Sequence, residues 1–195
     1  GEAFREQQSL QGKRVVVFPG STGRWHHIPE TVQFLGEWMK EEPLLHFVAL
    51  CPDVENMRQA CKEFLPEGRY TVVHAQHHEV PGWLNAADLG ILMRAEDPVN
   101  HVASPTKFAE YALSGLPVAM SPGIGDYSDM VLREKAGFWV DESRLGESVE
   151  RAAAFMALWS QEDRRRWSDS AREQLSKGAR LEDLVAEYRQ LETMP

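Results

Sequence analysis

The chain has 195 residues, 43% of them apolar, and a formal net charge of −9. That length accommodates one compact domain, or one domain carrying a helical tail. The acidic balance excludes a broad basic surface for a nucleic-acid backbone or an anionic membrane, so any anion site must be built from a few placed cations. The two cysteines, Cys51 and Cys61, show neither a metal-binding spacing nor a disulfide framework, which fits a reducing, cytoplasmic setting. No apolar run approaches the roughly 20 residues needed to span a bilayer, and the polar residues 1–11 are unlike a signal peptide.

The opening residues 1–12, rich in Gln and Glu, read as a linker. From Lys13 onward, short apolar runs alternate with amphipathic helical stretches. The runs predict strands over 14–18, 45–51, 70–75, 89–93, 118–121 and, more weakly, 138–140. Between them, helices are expected over 29–40, 54–65, 80–87, 105–114 and 128–135. Strand–helix alternation predicts an α/β fold, a doubly wound parallel sheet of about six strands over 13–141. Ligands of such sheets sit beyond the C-terminal strand ends where strand order reverses, in the commonest order between strands one and four. After residue 141 the strand signals stop. Residues 145–159, 162–175 and 181–191 read as C-terminal helices for packing or docking, with Gly178 marking a break. The run Arg164-Arg165-Arg166 reads as a solvated helix face.

Three loops at the expected ligand edge carry chemistry. The first strand ends in Pro19-Gly20-Ser21-Thr22-Gly23-Arg24-Trp25-His26-His27. Its glycines let backbone N–H groups approach an anion, and Ser21, Thr22 and Arg24 add donors. The spacing matches neither the dinucleotide fingerprint nor a P-loop, so phosphate binding and an ordinary turn both remain open. After strand four, Ser104 is a good N-cap and Pro105 a favoured first helical residue, with Gly115 and Pro117 closing the helix. Lys107 then falls in the first turn, where the helix dipole disfavours a cation by some tenths of a kcal/mol up to about one. A ligand anion at the helix end would account for it. Glu110 lies one turn deeper on the same face, so a phosphate at Lys107 and a vicinal diol at Glu110 would describe a nucleoside diphosphate; the alternative is a surface Lys–Glu pair. Strand five ends in Ser121-Pro122-Gly123-Ile124-Gly125-Asp126, a further glycine-bearing loop. Adjacent histidines, His26-His27 and His77-His78, diverge on most backbones, so no metal is expected. Most of the six tryptophans occupy helical core positions, while Trp25 is placed to line the crevice.

The run Ser104-Pro105-Thr106-Lys107-Phe108-Ala109-Glu110-Tyr111, continuing to Gly115-Leu116-Pro117-Val118, resembles the nucleotide-sugar-binding half of retaining GT-B glycosyltransferases of group 1 (family 4), which pair two Rossmann-like domains. Phe18-Pro19-Gly20-Ser21-Thr22-Gly23-Arg24-Trp25 and Val80-Pro81-Gly82-Trp83-Leu84-Asn85-Ala86-Ala87-Asp88 are similar to two further motifs of that family in the same order. The resemblance implies that Glu110 binds the donor ribose and that the helix start, with Ser104, Thr106 and Lys107, faces the diphosphate. Ala75-Gln76-His77 would lie beside the base. Two positions depart from the pattern: Val102 stands where many members have an acidic residue, and Ser21 with His26 or His27 stands where many have Arg and Lys. Lys107, Arg24 and Arg94 are therefore the candidate diphosphate anchors. The donor would be a UDP- or GDP-sugar, with no other cofactor, and the route of transfer would need no metal or protein nucleophile from this half. The family further implies a separate N-terminal acceptor domain braced by the C-terminal helices, and work on cell-surface glycans at the inner face of a membrane. This half alone would bind donor but transfer little. Two alternatives keep the fold: half of a sugar-nucleotide epimerase, and a degenerate docking module.

Overall fold

A computed structural model describes residues 1–95, 97–101 and 104–175. In chain order the elements are α1 (Glu2–Gln7), β1 (Arg14–Pro19), a 3-10 turn (Arg24–His26), α2 (Ile28–Glu41), β2 (Leu45–Leu50), α3 (Val54–Phe64), β3 (Tyr70–Val73), α4 (Val80–Ala86) and β4 (Leu89–Leu92). They continue with α5 (Pro98–His101), α6 (Thr106–Leu113), β5 (Val118–Met120), α7 (Tyr127–Arg133), β6 (Gly137–Trp139), a 3-10 turn (Glu142–Arg144), α8 (Leu145–Leu158) and α9 (Gln161–Leu175). The helix expected over 181–191, the break at Gly178 and the departure at Val102 lie outside the described residues.

All six strands are parallel, in the order β3-β2-β1-β4-β5-β6. Strand order reverses beside β1, which pairs with β2 on one side and β4 on the other. This is the doubly wound α/β sheet expected from the strand–helix alternation, with its crevice between strands one and four. Side chains alternate across the sheet: Val16 and Phe18 of β1 join a core with α2, α3 and α8, whereas Val15 and Val17 join one with α4, α6, α7 and α9. Both faces are covered, which is why the strands read as nearly continuous apolar runs.

The opening segment, expected as a linker, instead forms α1 and docks. Phe4 packs edge-on against Trp83 at 5.1 Å, and Arg5 pairs with Asp88 at 2.7 Å while donating to the Ala86 carbonyl. Arg164 also departs from its expected solvated face. Its guanidinium donates to the carbonyls of Ala87 and Leu84 at the end of α4. Arg165 and Arg166 are exposed as expected.

One contact sets the position of α6. A Cβ on Gly90 would lie 2.6–2.7 Å from three ring atoms of Tyr111, so the bare backbone of β4 is what lets the ring settle there. The Tyr111 hydroxyl reaches the carbonyls of Ile91 in β4, at 2.9 Å, and Val17 in β1, at 3.2 Å. It thereby joins α6 to the two strands that flank the crevice. From the other side α9 holds α6: Trp167 Nε1 donates to the Leu116 carbonyl at 2.9 Å and Ser168 Oγ to that of Leu113 at 2.8 Å. Gly115 allows this approach through its left-handed φ of 67°. Gly90→Ala is expected to cost about 3 kcal/mol through overpacking, and Tyr111→Phe about 1 kcal/mol. Urea unfolding measures both, and a Gly90→Ala chain as stable as the parent would refute the contact.

Candidate functional site

At the C-terminal end of β1 the Gly20 N–H donates to the Leu50 carbonyl at 2.9 Å, so it is spent on the sheet. What Gly20 contributes is space. A Cβ there would stand 2.6 Å from Lys107 Nζ and 3.0 Å from the Phe18 ring. The N–H groups of Ser21, Thr22 and Gly23 have no hydrogen-bond partner among the described residues and are the donors this loop can offer an anion. The loop then closes in the 3-10 turn, which buries His26 and leaves Trp25 59% exposed.

Lys107 comes from α6 on one face of the sheet and reaches across the end of β1. Its Nζ sits 4.2 Å over the Phe18 ring and 3.5 Å from His26 Nδ1. The side chain is buried, and no carboxylate among the described residues lies within ion-pair distance of it. Burial, then the charge of Arg94, pushes its pKa down from the ordinary lysine value to about 7, against the opposing pull of Glu110 and Cys51. Burial, then Lys107 and Arg94, pushes His26 down to about 4, so this imidazole is neutral at pH 7. Two basic side chains and a neutral ring thus share one corner, with no carboxylate among the described residues in ion-pair contact with Lys107.

Arg94, following β4, is fixed by its surroundings. Its backbone N–H donates to Ser121 Oγ at 2.8 Å, the same hydroxyl donates back to its carbonyl, and its Nη1 donates to Asn100 Oδ1 at 2.9 Å. Asn100 is itself buried, donating to the Ala95 carbonyl and accepting from Gly125 N–H. Arg94 Nε is shielded from water and has no hydrogen-bond partner among the described residues. Burial lowers the Arg94 pKa, which marks the same shortage of compensation. Beside Arg94 and Asn100 opens a crevice of about 650 Å³, lined also by Arg24, Trp25, Ala95 and Asp97.

The structure therefore brings Gly20, His26 and Lys107 into contact, sets Arg94 beside them, and adds Arg24 and Trp25 at the mouth. Glu110 lies half-buried one turn below Lys107 and pulls electrostatically on it. Ser21 and Thr106 are exposed. Thr22 is directed to Asp53, at 3.3 Å. Ser104 is not the expected cap: Pro105 holds that position, no side chain caps α6, and Ser104 Oγ lies 2.8 Å from the Tyr127 hydroxyl. Stacking of Phe108 on Tyr127 at 4.2 Å brings α7 close enough to take that hydroxyl. The turn 75–77 follows the edge strand β3 and does not line the crevice. Asn100 and Ser121, which position Arg94, carried no signal in the sequence beyond their presence in loops.

No protein-family model matches the chain, and no curated protein matches it in sequence. Solved structures do match in fold. A glycosyltransferase from Rickettsia africae superimposes over 100% of this chain and 52% of its own, with a TM-score of 0.77 and 11% identity. TarM from S. aureus, a mutant in complex with fondaparinux, α-GlcNAc-glycerol and UDP, is matched over 93% of this chain and 36% of its own, at TM-score 0.69 and 11% identity. The C-terminal domain of a group 1 glycosyl transferase, LpcC from Francisella tularensis, is matched over 87% of both chains, at TM-score 0.63 and 13% identity. The fold is that of a GT-B glycosyltransferase domain. The chain spans about half or less of the length of the first two proteins.

The buried ammonium gives a stability prediction whose sign follows from proton binding. Between pH 7 and about 10.4, the ordinary lysine value, the unfolded chain holds the Lys107 proton more tightly than the folded one. Stability therefore rises with pH across that window, and the full penalty applies below it. Lys107→Met is expected to stabilise the unliganded chain at pH 7, raising Tm by several degrees at about 2–4 °C per kcal/mol, and to flatten the rise toward alkaline pH. An unchanged or lower Tm in thermal unfolding would show that the ammonium is compensated.

Proposed function

We propose that this chain is the donor-binding domain of a retaining, group 1 (family 4) type glycosyltransferase, taking a UDP- or GDP-sugar and passing its sugar to a glycan or lipid-linked acceptor. The observation that carries the reading is Lys107: a buried ammonium without a carboxylate partner among the described residues, at a helix start, on the strand-order reversal. Maintaining that charge unpaired is costly, and a diphosphate would supply the missing negative charge. Arg94 adds a second cation with an unused donor. The free N–H groups of Ser21, Thr22 and Gly23 and the start of α6 complete an anion cradle. Glu110, one turn deeper, accepts two hydrogen bonds from ribose hydroxyls in this reading, and Trp25 offers an exposed ring to the rest of the ligand.

The chemistry asked of this half is electrostatic. As the bond between the sugar C1 and the diphosphate oxygen breaks, the electron pair passes to the diphosphate. Lys107 and Arg94 stabilise that developing charge where it forms. The acceptor oxygen attacks the same face of C1 and gives its proton to the departing phosphate, so no side chain of this half acts as nucleophile. Acceptor contacts belong to a second domain against which the C-terminal helices, from residue 142 onward, would brace. An acceptor held in a membrane would place the whole enzyme at the cytoplasmic surface.

Calorimetric titration with UDP, GDP and their sugar conjugates tests this. One diphosphate is expected to bind, with Glu110→Ala weakening it at least tenfold and Lys107→Ala more. Affinity is also expected to fall as pH rises above 7, by up to tenfold per unit, because the free lysine must take up a proton when the anion binds. Equal affinity for parent and both variants would refute the assignment.

A further inference from the structure

Apart from the crevice, the two ends of the α2–α8 layer are joined by a second group of polar side chains. His27 follows the 3-10 turn in the left-handed conformation (φ 44°, ψ 49°) and begins α2. Glu30 stands in the first turn of that helix, and Glu142 opens the 3-10 turn between β6 and α8. His27 Nδ1 lies 3.2 Å from Glu142 Oε2 and 4.0 Å from Glu30 Oε2. One ligand atom from each residue falls within 4.8 Å of the other two. His27 Nδ1 and Glu30 Oε2 are both shielded from water, yet neither has a hydrogen-bond partner among the described residues. The contacts are close enough for ion pairing but lack the geometry of hydrogen bonds.

We infer that His27, Glu30 and Glu142 form a binding site for a first-row divalent cation, Zn2+ by preference. A zinc ion bonded at about 2.0–2.2 Å to nitrogen and oxygen holds tetrahedral ligand atoms about 3.3–3.6 Å apart. The distances here bracket that range, so small side-chain rotations close the site. Charge agrees as well: with the imidazole neutral, as a metal ligand requires, the two carboxylates balance a dication. The mixed nitrogen and oxygen set favours zinc and its neighbours over calcium or magnesium, which take oxygen ligands. Three protein ligands leave the fourth position to water. The site is a clamp. It ties the end of the β1–α2 loop, whose residue His26 touches Lys107, to the connector entering α8. It is independent of the nucleotide assignment and takes no part in sugar transfer.

Sequence reading missed it because Glu142 lies 115 positions from His27, and only the packing of α8 on α2 brings them together.

The test uses the whole chain, freed of metal with a chelator that is then removed, and titrated with ZnCl2 while Tm is followed. CoCl2 serves as a spectroscopic stand-in. One equivalent is expected to bind, with a Tm rise of roughly 5–10 °C at hundredfold excess over Kd and the visible absorption of tetrahedral cobalt. Glu142→Gln and His27→Gln are each expected to weaken binding at least tenfold, while His74→Gln, at an exposed histidine, leaves it unchanged. The Glu142 side chain is half exposed, so that variant is expected to fold, and its metal-free Tm checks the point. Absence of stoichiometric binding would overturn the inference, as would binding that survives both ligand variants. Nucleotide titration in chelator gives a separate readout, so failure of one assignment is distinguishable from failure of the other.

Discussion

Everything at the ligand edge depends on an aromatic ring occupying the place of a missing side chain. Tyr111 settles over Gly90, and its hydroxyl joins the carbonyls of β1 and β4 where those strands diverge. That contact fixes the depth and rotation of α6. Lys107, one turn earlier on the same helix, is thereby carried over the end of β1 and under the first loop. A bulkier residue at position 90 would lift the helix, and the ammonium would leave Phe18 and Gly20. Buttressing from α9 through Trp167 and Ser168 acts on the same helix from outside. The C-terminal helices thus serve the site without touching it.

The cost of this arrangement is electrostatic. A lysine buried against an aromatic face, a neutral histidine and a nearby arginine gains little from the unliganded chain. Cation–π attraction recovers about 0.5–2 kcal/mol, less than the depression of the lysine pKa implies. Such a corner destabilises the empty domain, and in the proposed function an entering anion would relieve that cost. A trade of scaffold stability for binding is what the proposed function would require of it. Arg94 repeats the pattern more mildly, since Asn100 and Ser121 satisfy part of its hydrogen-bonding and leave Nε open.

Much of the fold was legible in the sequence because a sheet buried on both faces writes its strands as apolar runs. Val15, Val16, Val17 and Phe18 could hardly be anything else between a polar start and a glycine-bearing turn. Lys107 stood out because a cation in the first turn of a helix opposes the dipole, and burial has made that anomaly sharper. Other features left no local mark. The helix α1 rests on one apolar residue, Phe4, docking on Trp83, too little for any periodicity. The single turn of α5 is shorter than the helical repeat can reveal. Ser104 has the composition of a cap, but the stacking of Phe108 on Tyr127 claims its hydroxyl. Asn100, Ser121 and Glu142 act only through partners brought near by the folded chain.

The most direct measurement is a crystal structure of the chain with a bound nucleoside diphosphate. The expected result has phosphate oxygens within about 3 Å of Lys107 Nζ, the N–H groups of residues 21–23 turned toward them, and the ribose hydroxyls on Glu110. A nucleotide seated elsewhere, with Lys107 still folded over Phe18 and no anion beside it, would contradict the account.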